Sequence, residues 1–461
     1  MIQGKECKLP SSFRDPSGFV FCQDGQVYRQ INKVYADEYQ HLMQSGLYYA
    51  LVAEDLLIPH TEVDTLSEDM AIVHRIIKPE QILFISYPYE WCFTQLKHAA
   101  LHTLKVQNIA LRFGMSLKDS SAYNIQFRNG RPVFIDTLSF ERYHAGQPWI
   151  AYRQFCRHFL APLALMCHKD LRMNQLFKTH VDGIPLDIAS SLLPVGSYFS
   201  YSLLLHIHMH AKGERIFIHD TDNKKTDKRK KMVSMEALID SVYSAIVGLN
   251  VKSEDTEWSG YYSNTNYSDV AMQYKKQLVV ELLERAKPTV LCDIGANSGL
   301  FSRLASDRNI YTIATDNDPM AVEQNYMYSV NQGEKKILPL IIDITNPSSG
   351  IGWLNQERTS FLERLNVDTV MALALIHHLV ISNNLQLGQI AQMFSSVCKS
   401  LIIEFVPKSD SQTQRLLISR KDIFGDYTQE AFEDEFSQYF IIEQSSRIKE
   451  SDRTLYLMRK K

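Results

Sequence analysis

The chain has 461 residues, 45% of them apolar, with a formal net charge of −3. That length allows two or three domains with real cores, the composition excludes a disordered chain, and the near-neutral charge gives no strong nucleic-acid signature. Seven cysteines without a CxxC pair argue against a zinc site or a disulfide framework. No uncharged apolar run reaches the roughly 18 residues of a membrane span, and the N-terminus lacks a signal-peptide core, so a cytoplasmic location is the expectation.

In chain order, the alternating runs GFVFCQ and QVYRQI flank Asp24-Gly25, a hairpin-turn dipeptide. Residues 36–57 read as one helix stopped by Pro59, and strands are expected around 71–77 and 81–87. Residues 95–113 form a long amphipathic helix ended by Gly114. Asn129-Gly130 then turns a hairpin between NIQF and PVFID. Residues 149–220 read as mainly helical. There, His206, His208 and His210 would share a face on a strand and could bind zinc. The flanking sequence fits a helix better, which scatters them, and no metal is assigned. The run DTDNKKTDKRKK at 220–231 reads as a solvated loop, with a local phosphate-binding patch as the alternative. A helix at 235–247 ends an α+β domain spanning 1–248, and residues 249–461 make a second domain.

Within the first domain the spacing Asp119-x4-Asn124, a hairpin and then Asp136 suggests phosphotransfer chemistry. There an aspartate takes the substrate proton, an asparagine five residues on holds magnesium, and a later aspartate holds metal beside the phosphates. Arg29 would stand in for the phosphate-binding lysine, with Glu38 as its helix partner. The region from Phe19 to the middle helices thus resembles the protein-kinase and aminoglycoside-phosphotransferase fold, which implies ATP and magnesium as ligands. It departs from that pattern: Ser-Leu-Lys-Asp replaces His-Arg-Asp, Asp136-Thr-Leu replaces Asp-Phe-Gly, and there is no glycine-rich phosphate loop. A kinase-like substrate or regulatory domain, and an unrelated α/β domain, remain open.

From Val290 strands and helices alternate. Strands are expected at 290–294, 311–316, 337–343, 367–375, 399–406, 439–447 and 453–459, the last two forming a hairpin through Glu450-Ser451-Asp452. The fold class is α/β: a doubly wound seven-stranded sheet, mostly parallel, with a terminal antiparallel hairpin. In such sheets ligands bind beyond the carboxyl ends of the strands. Gly295 permits a sharp turn after the first strand, and Gly299 would let a ligand approach the backbone. Asp293 could receive a cationic group, Asp316 suits two ribose hydroxyls, and Asp343 could accept from an adenine amino group. A dinucleotide fingerprint is excluded, because Asn297 and Leu300 stand where its second and third glycines belong.

The D-I-G-A-N-S-G turn, the D-N-D-P that follows the second strand, and Asp343 resemble a class I S-adenosylmethionine-dependent methyltransferase. WSGYYSNTNYS, ALALIHHL and LIIEFVPKSD further resemble bacterial methyltransferases grouped with a host-specific nodulation protein. The resemblance implies that Asp293 and the turn Gly295, Asn297, Gly299 hold the methionine part, that Asp316 binds ribose, and that Asp343 binds adenine. The Asn/Asp-Pro-Pro-aromatic signature of DNA-base amino-methylases is absent from the fourth strand. His377 or His378 could serve as general base, one of the two reaching the site from an extended backbone, and Glu404 could line the same crevice. Tyr262, Tyr267 and Lys275 could form a lid. The leading expectation is a methyltransferase whose acceptor is unidentified. A bifunctional kinase-like and methyltransferase protein, and a non-catalytic cofactor-binding protein, are the alternatives.

Overall fold

Two-residue turns with positive φ at both positions twist in the same sense as paired strands, so they favour hairpins. Asp24 (φ 53°) and Gly25 (φ 76°) make such a turn, as do Asn129 (φ 52°) and Gly130 (φ 74°). The computed structural model describes residues 7–63, 71–212, 235–251, 267–418 and 421–461. The charged run at 220–231 and Tyr262 lie outside them. Two compact units result: Met1–Lys252 with Gly350–Thr359, and Ser253–Ser349 with Ser360–Lys461.

In the N-terminal unit, strands β1 (Cys7–Lys8), β2 (Gly18–Gln23), β3 (Gln26–Asn32), β4 (His60–Val63) and β5 (Val73–Pro79) form an antiparallel sheet in the order β1-β2-β3-β5-β4. The expected helix at 36–57 is two helices, Ala36–Gln44 and Leu47–Ala53, because Gly46 takes φ 87° between them. The polar β4 had no strand signature, whereas residues 81–87 form no strand and lead into a turn at Pro88–Glu90. Helix Phe93–Arg112 buries Leu96, Ala99, Ala100, Leu104 and Ala110 along one face. Its buried Gln107 accepts the Leu117 amide at 2.7 Å, which ties the helix to β6 (Met115–Leu117). Strands β7 (Ile125–Arg128) and β8 (Arg131–Phe134) make the second hairpin, and β9 (Phe140–Arg142) pairs with β6. The His206–His210 stretch is helical: His206 meets Tyr152 and Ser241, and His208 meets Ser190 and Ser197.

The C-terminal unit is the α/β half. Strands β10 (Val290–Ile294), β11 (Tyr311–Asp316), β12 (Ile337–Ile341), β13 (Val367–Ala372), β14 (Cys398–Phe405), β15 (Phe440–Arg447) and β16 (Thr454–Lys460) lie in the order β12-β11-β10-β13-β14-β16-β15. The first five are parallel; β16 runs antiparallel to both β14 and β15. This is the expected mostly parallel sheet with a terminal hairpin. Pro339 is tolerated in β12 because that strand is an edge. Leu278, Val279 and Leu282 of helix Asp269–Ala286 pack on Leu291, Met371, Ile402 and Leu457 of the sheet.

Two consequences of this topology position the site. Strand order reverses between β10 and β13, which opens a crevice at their carboxyl ends. Register then aligns the acids: Asp293 is the penultimate residue of β10, Asp316 the last of β11 beside Ile341, and Asp343 follows β12 by two residues.

Candidate functional site

At the carboxyl ends of β10 to β13 lies a cavity of about 280 Å³. Gly295, Asn297, Asp316, Asp343 and His378 line it together with an apolar wall that includes Leu373 and Leu375. The turn between β10 and the following helix is pinned by backbone bonds, since Gly295 and Ala296 both donate to the Thr315 carbonyl at 2.9 Å. Gly295 takes φ 78°, and a Cβ there would touch Leu375 at 3.4 Å. Asn297 adopts φ 51°.

Asp316 accepts the Asn297 amide at 2.8 Å and the Asp318 amide at 2.9 Å, one on each oxygen. Each oxygen keeps a further lone pair for a hydroxyl. Burial is the main cause that raises its pKa to about 6. Asp293 is 2% exposed and accepts the Ser302 hydroxyl at 2.6 Å. Burial pushes it up to about 7, with the Asp316 charge adding to the shift. Asp343 is exposed and caps a turn by accepting the Thr345 amide and hydroxyl at 2.9 and 2.6 Å.

Gly299 departs from its expected role. Its φ of 82° starts the helix Leu300–Ser306, and a Cβ there would come within 2.5 Å of both Arg303 and Asn325. The missing side chain lets the chain pack against Arg303 and Asn325, and Gly299 does not line the cavity.

The two histidines also differ from expectation. Strand β13 stops at Ala372, and His378–Ser382 is a wide helical turn, so neither histidine sits on extended backbone. His378 lines the cavity; burial and then Arg453 lower its pKa to about 4, leaving the ring neutral at pH 7. His377 is fully buried, and both of its ring nitrogens lack partners among the described residues. Burial holds it far below the usual imidazole range.

Glu404 does not line the cavity either; it lies behind the wall. Its carboxylate takes Lys275 Nζ at 2.6 Å, Arg453 at 3.4 Å and the Tyr267 hydroxyl. It also accepts the Ala374 amide at 2.9 Å, which fixes the loop after β13, where Ala374 holds φ 49°. Arg453 is further held by Asp410 at 2.8 and 3.0 Å. Burial pushes the Glu404 carboxyl up, but Lys275 and Arg453 outweigh it and hold it below the usual range. Tyr267 and Lys275, read as a lid, are members of this network, Lys275 buried and Tyr267 partly so, beside a small cavity that Asp293 also lines. Sequence reasoning missed Arg453 and Asp410. Their only signal is a pair of charges flanking apolar strands, which a surface loop would also show.

In the N-terminal unit a second cavity, of about 540 Å³, brings Asp119, Asn124 and Asp136 together. Burial, reinforced by the Asp136 charge, raises the Asp119 pKa. Asp136 is ion-paired with Arg29 and accepts the Leu138 amide at 2.9 Å and the Ser139 hydroxyl at 2.7 Å. Arg29 therefore pairs with Asp136 and not with Glu38, which accepts the Arg142 amide. Arg29 and the Leu138 amide act on Oδ1 and the Ser139 hydroxyl on Oδ2, so this carboxylate is oriented by its own unit. Among the described residues no cluster of three His, Cys, Asp or Glu side chains could hold a metal ion, and no helix is long and apolar enough to cross a membrane.

No protein-family model matches the chain. Solved structures similar to it include the N-methyltransferase NodS from Bradyrhizobium japonicum WM9 (13% identity, TM-score 0.32), covering 42% of this chain and 98% of NodS. Magnesium protoporphyrin IX methyltransferase from Synechocystis PCC 6803, with bound SAH, matches at 14% identity and TM-score 0.32 over 43% of this chain and 90% of its own. The bifunctional kinase-methyltransferase WbdD matches at 14% identity and TM-score 0.30 over 42% of this chain, and the chain spans about 40% of WbdD's length. Nodulation protein NoeA of Rhizobium meliloti (strain 1021) is 35% identical over 459 residues, 97% of this chain and 95% of NoeA. With that identity along nearly its whole length, the chain belongs to the NoeA family.

Proposed function

We propose that the C-terminal unit is an S-adenosylmethionine-dependent methyltransferase acting on an acceptor with an ionisable hydroxyl or amine. The carrying observation is the convergence of Asp316, Asp343, the Gly295–Asn297 turn and His378 on one cavity at the sheet's switch point. The donor set fits the cofactor. Asp316 keeps acceptor capacity for two ribose hydroxyls, and Asp343 offers an acceptor for the adenine amino group. Asp293 and the backbone turn at Gly295 suit the methionine part. When bound, the cofactor supplies an electrophilic methyl group.

The chain's own contribution is placement. Methyl transfer to an aligned nucleophile is governed mainly by proximity and orientation, so the Ala374 loop in the cavity wall, held by Glu404, matters more than a strong base. His378, neutral at pH 7, is the group available to take the acceptor's proton. His377 has no route to the cavity and serves as a packing residue. Glu404 is a positioning residue that acts through Ala374.

Calorimetric titration with adenosylmethionine tests the reading. Wild-type protein binds, and Asp316→Ala lowers affinity at least tenfold, because a ribose diol loses a charged acceptor. Equal affinity in the variant would remove the assignment.

A further inference from the structure

The N-terminal cavity holds more unspent hydrogen-bond donors than its kinase-like acids account for. Arg29 Nε, Arg157 Nε, Arg358 Nε and the Tyr123 hydroxyl are buried without a partner among the described residues, and all four residues line it. Buried donors are normally satisfied, and an unmet charged donor is the costliest to leave. The carboxylates of the same wall are engaged. Asp136 serves Arg29 and the 138–139 turn, Asp119 accepts the Ser121 amide at 2.9 Å, and Glu357 grips Arg14 through two contacts of 2.7 and 2.8 Å. Arg358 and Arg157 also spend one N–H each on the Glu357 and Gly183 carbonyls, at 3.0 and 3.2 Å, and the atoms of this wall left partnerless among the described residues are the four that can donate.

Three of these donors form one group. The Arg358 guanidinium lies 4.2 Å over the Tyr123 ring, and the His158 ring meets the same tyrosine edge-on at 6.0 Å. Arg157 and Arg358 both raise the positive field at His158, which burial chiefly, and then these two charges, hold neutral with a pKa near 3. Arg358 reaches the cavity through residues 350–359, a segment that follows β12 in sequence but folds with the N-terminal unit. Reciprocal 3.0 Å bonds between Ile351 and Arg358 close this segment, and Thr359 donates to the Tyr87 hydroxyl at 3.2 Å.

We infer that this cavity binds a phosphate-bearing small molecule, its phosphoryl oxygens taken by Arg157, Arg358 and the Tyr123 hydroxyl without a divalent cation. Guanidinium N–H groups match phosphate oxygens in geometry, and a phosphoryl group offers three terminal oxygens to donors arriving from separate segments. The volume suits a small molecule. Asp119 and Asn124, on the same wall, are placed for its hydroxyl groups. The inference stands apart from the adenosylmethionine reading, since every residue in it belongs to the N-terminal unit.

The test titrates the full chain, in EDTA, with inorganic phosphate, pyrophosphate and ATP, read by calorimetry and 31P NMR. Arg358→Gln is expected to weaken binding about tenfold and Tyr123→Phe several-fold. Tyr123→Phe also separates binding from folding. Removing a partnerless buried hydroxyl leaves the thermal midpoint of the free protein equal or higher, while phosphate affinity falls. Similar affinity for all three probes assigns the phosphoryl group alone; binding of ATP without phosphate assigns a nucleotide. No binding of any probe at millimolar concentration, or affinities unchanged in both variants, would overturn the inference.

Discussion

At the scale of single residues, burial sets the chemistry of the acids around the C-terminal cavity. Asp293 and Asp316 titrate at about 7 and about 6 in the fold, against about 4 for an aspartate in an unfolded chain. Folding therefore prefers their protonated forms. The stability they contribute is fully present below about pH 4 and is lost as pH rises through about 7. Cofactor affinity should run the opposite way, because ribose hydroxyls donate to an ionised Asp316. Between about pH 5 and about pH 8 affinity is expected to rise, with protons released on binding at the lower end. Calorimetry in buffers of different ionisation enthalpy reads both effects, and a flat profile would contradict the role given to Asp316. The same scale separates two glycines with similar backbone angles. Gly295 faces the cavity, whereas Gly299 makes room for Arg303 and Asn325.

At the scale of elements, the loop after β13 depends on partners from three other segments. Glu404 on β14 holds the Ala374 amide and is itself held by Lys275 of helix Asp269–Ala286 and by Arg453 just before β16. Removing one partner from a buried charge network leaves the others uncompensated. Glu404→Leu is expected to cost about 3–5 kcal/mol of stability, measured by urea unfolding. Because the loop carries Leu373 and Leu375 into the cavity wall, residual folded protein should also bind cofactor more weakly. Retention of wild-type stability would mean that the network is dispensable.

At the scale of the whole molecule, a segment distant in sequence completes the N-terminal unit. Residues 350–359 bring Glu357, which is 1% exposed, to Arg14, and Arg358 to Tyr123. Gly352 takes φ 78° within this segment, and a Cβ would lie 2.5 Å from the Glu357 carboxylate. Gly352→Ala is therefore expected to destabilise the protein by about 1–3 kcal/mol, seen as a lower thermal midpoint. An unchanged midpoint would show that the segment shifts at no cost.

Much of the C-terminal sheet was legible because each cue was local. Short apolar runs mark its buried strands, glycine and asparagine mark its turn, and an acid ends or follows each of the first three strands. The cavity-lining roles of Asp316 and Asp343 follow from that register. The N-terminal hairpins at Asp24-Gly25 and Asn129-Gly130 were legible for the same reason, since the turn dipeptide alone dictates backbone twist. The sequence by itself could not tell which of two adjacent histidines faces a cavity, because the strand it implied ends at Ala372 and gives way to a helical turn. Nor could it show that Glu404 is enclosed by Lys275, Tyr267 and Arg453, or that Arg29 takes Asp136 in place of Glu38. Those pairings join residues from 49 to 137 positions apart, and only the tertiary fold, by removing water from around them, decides which charges must meet.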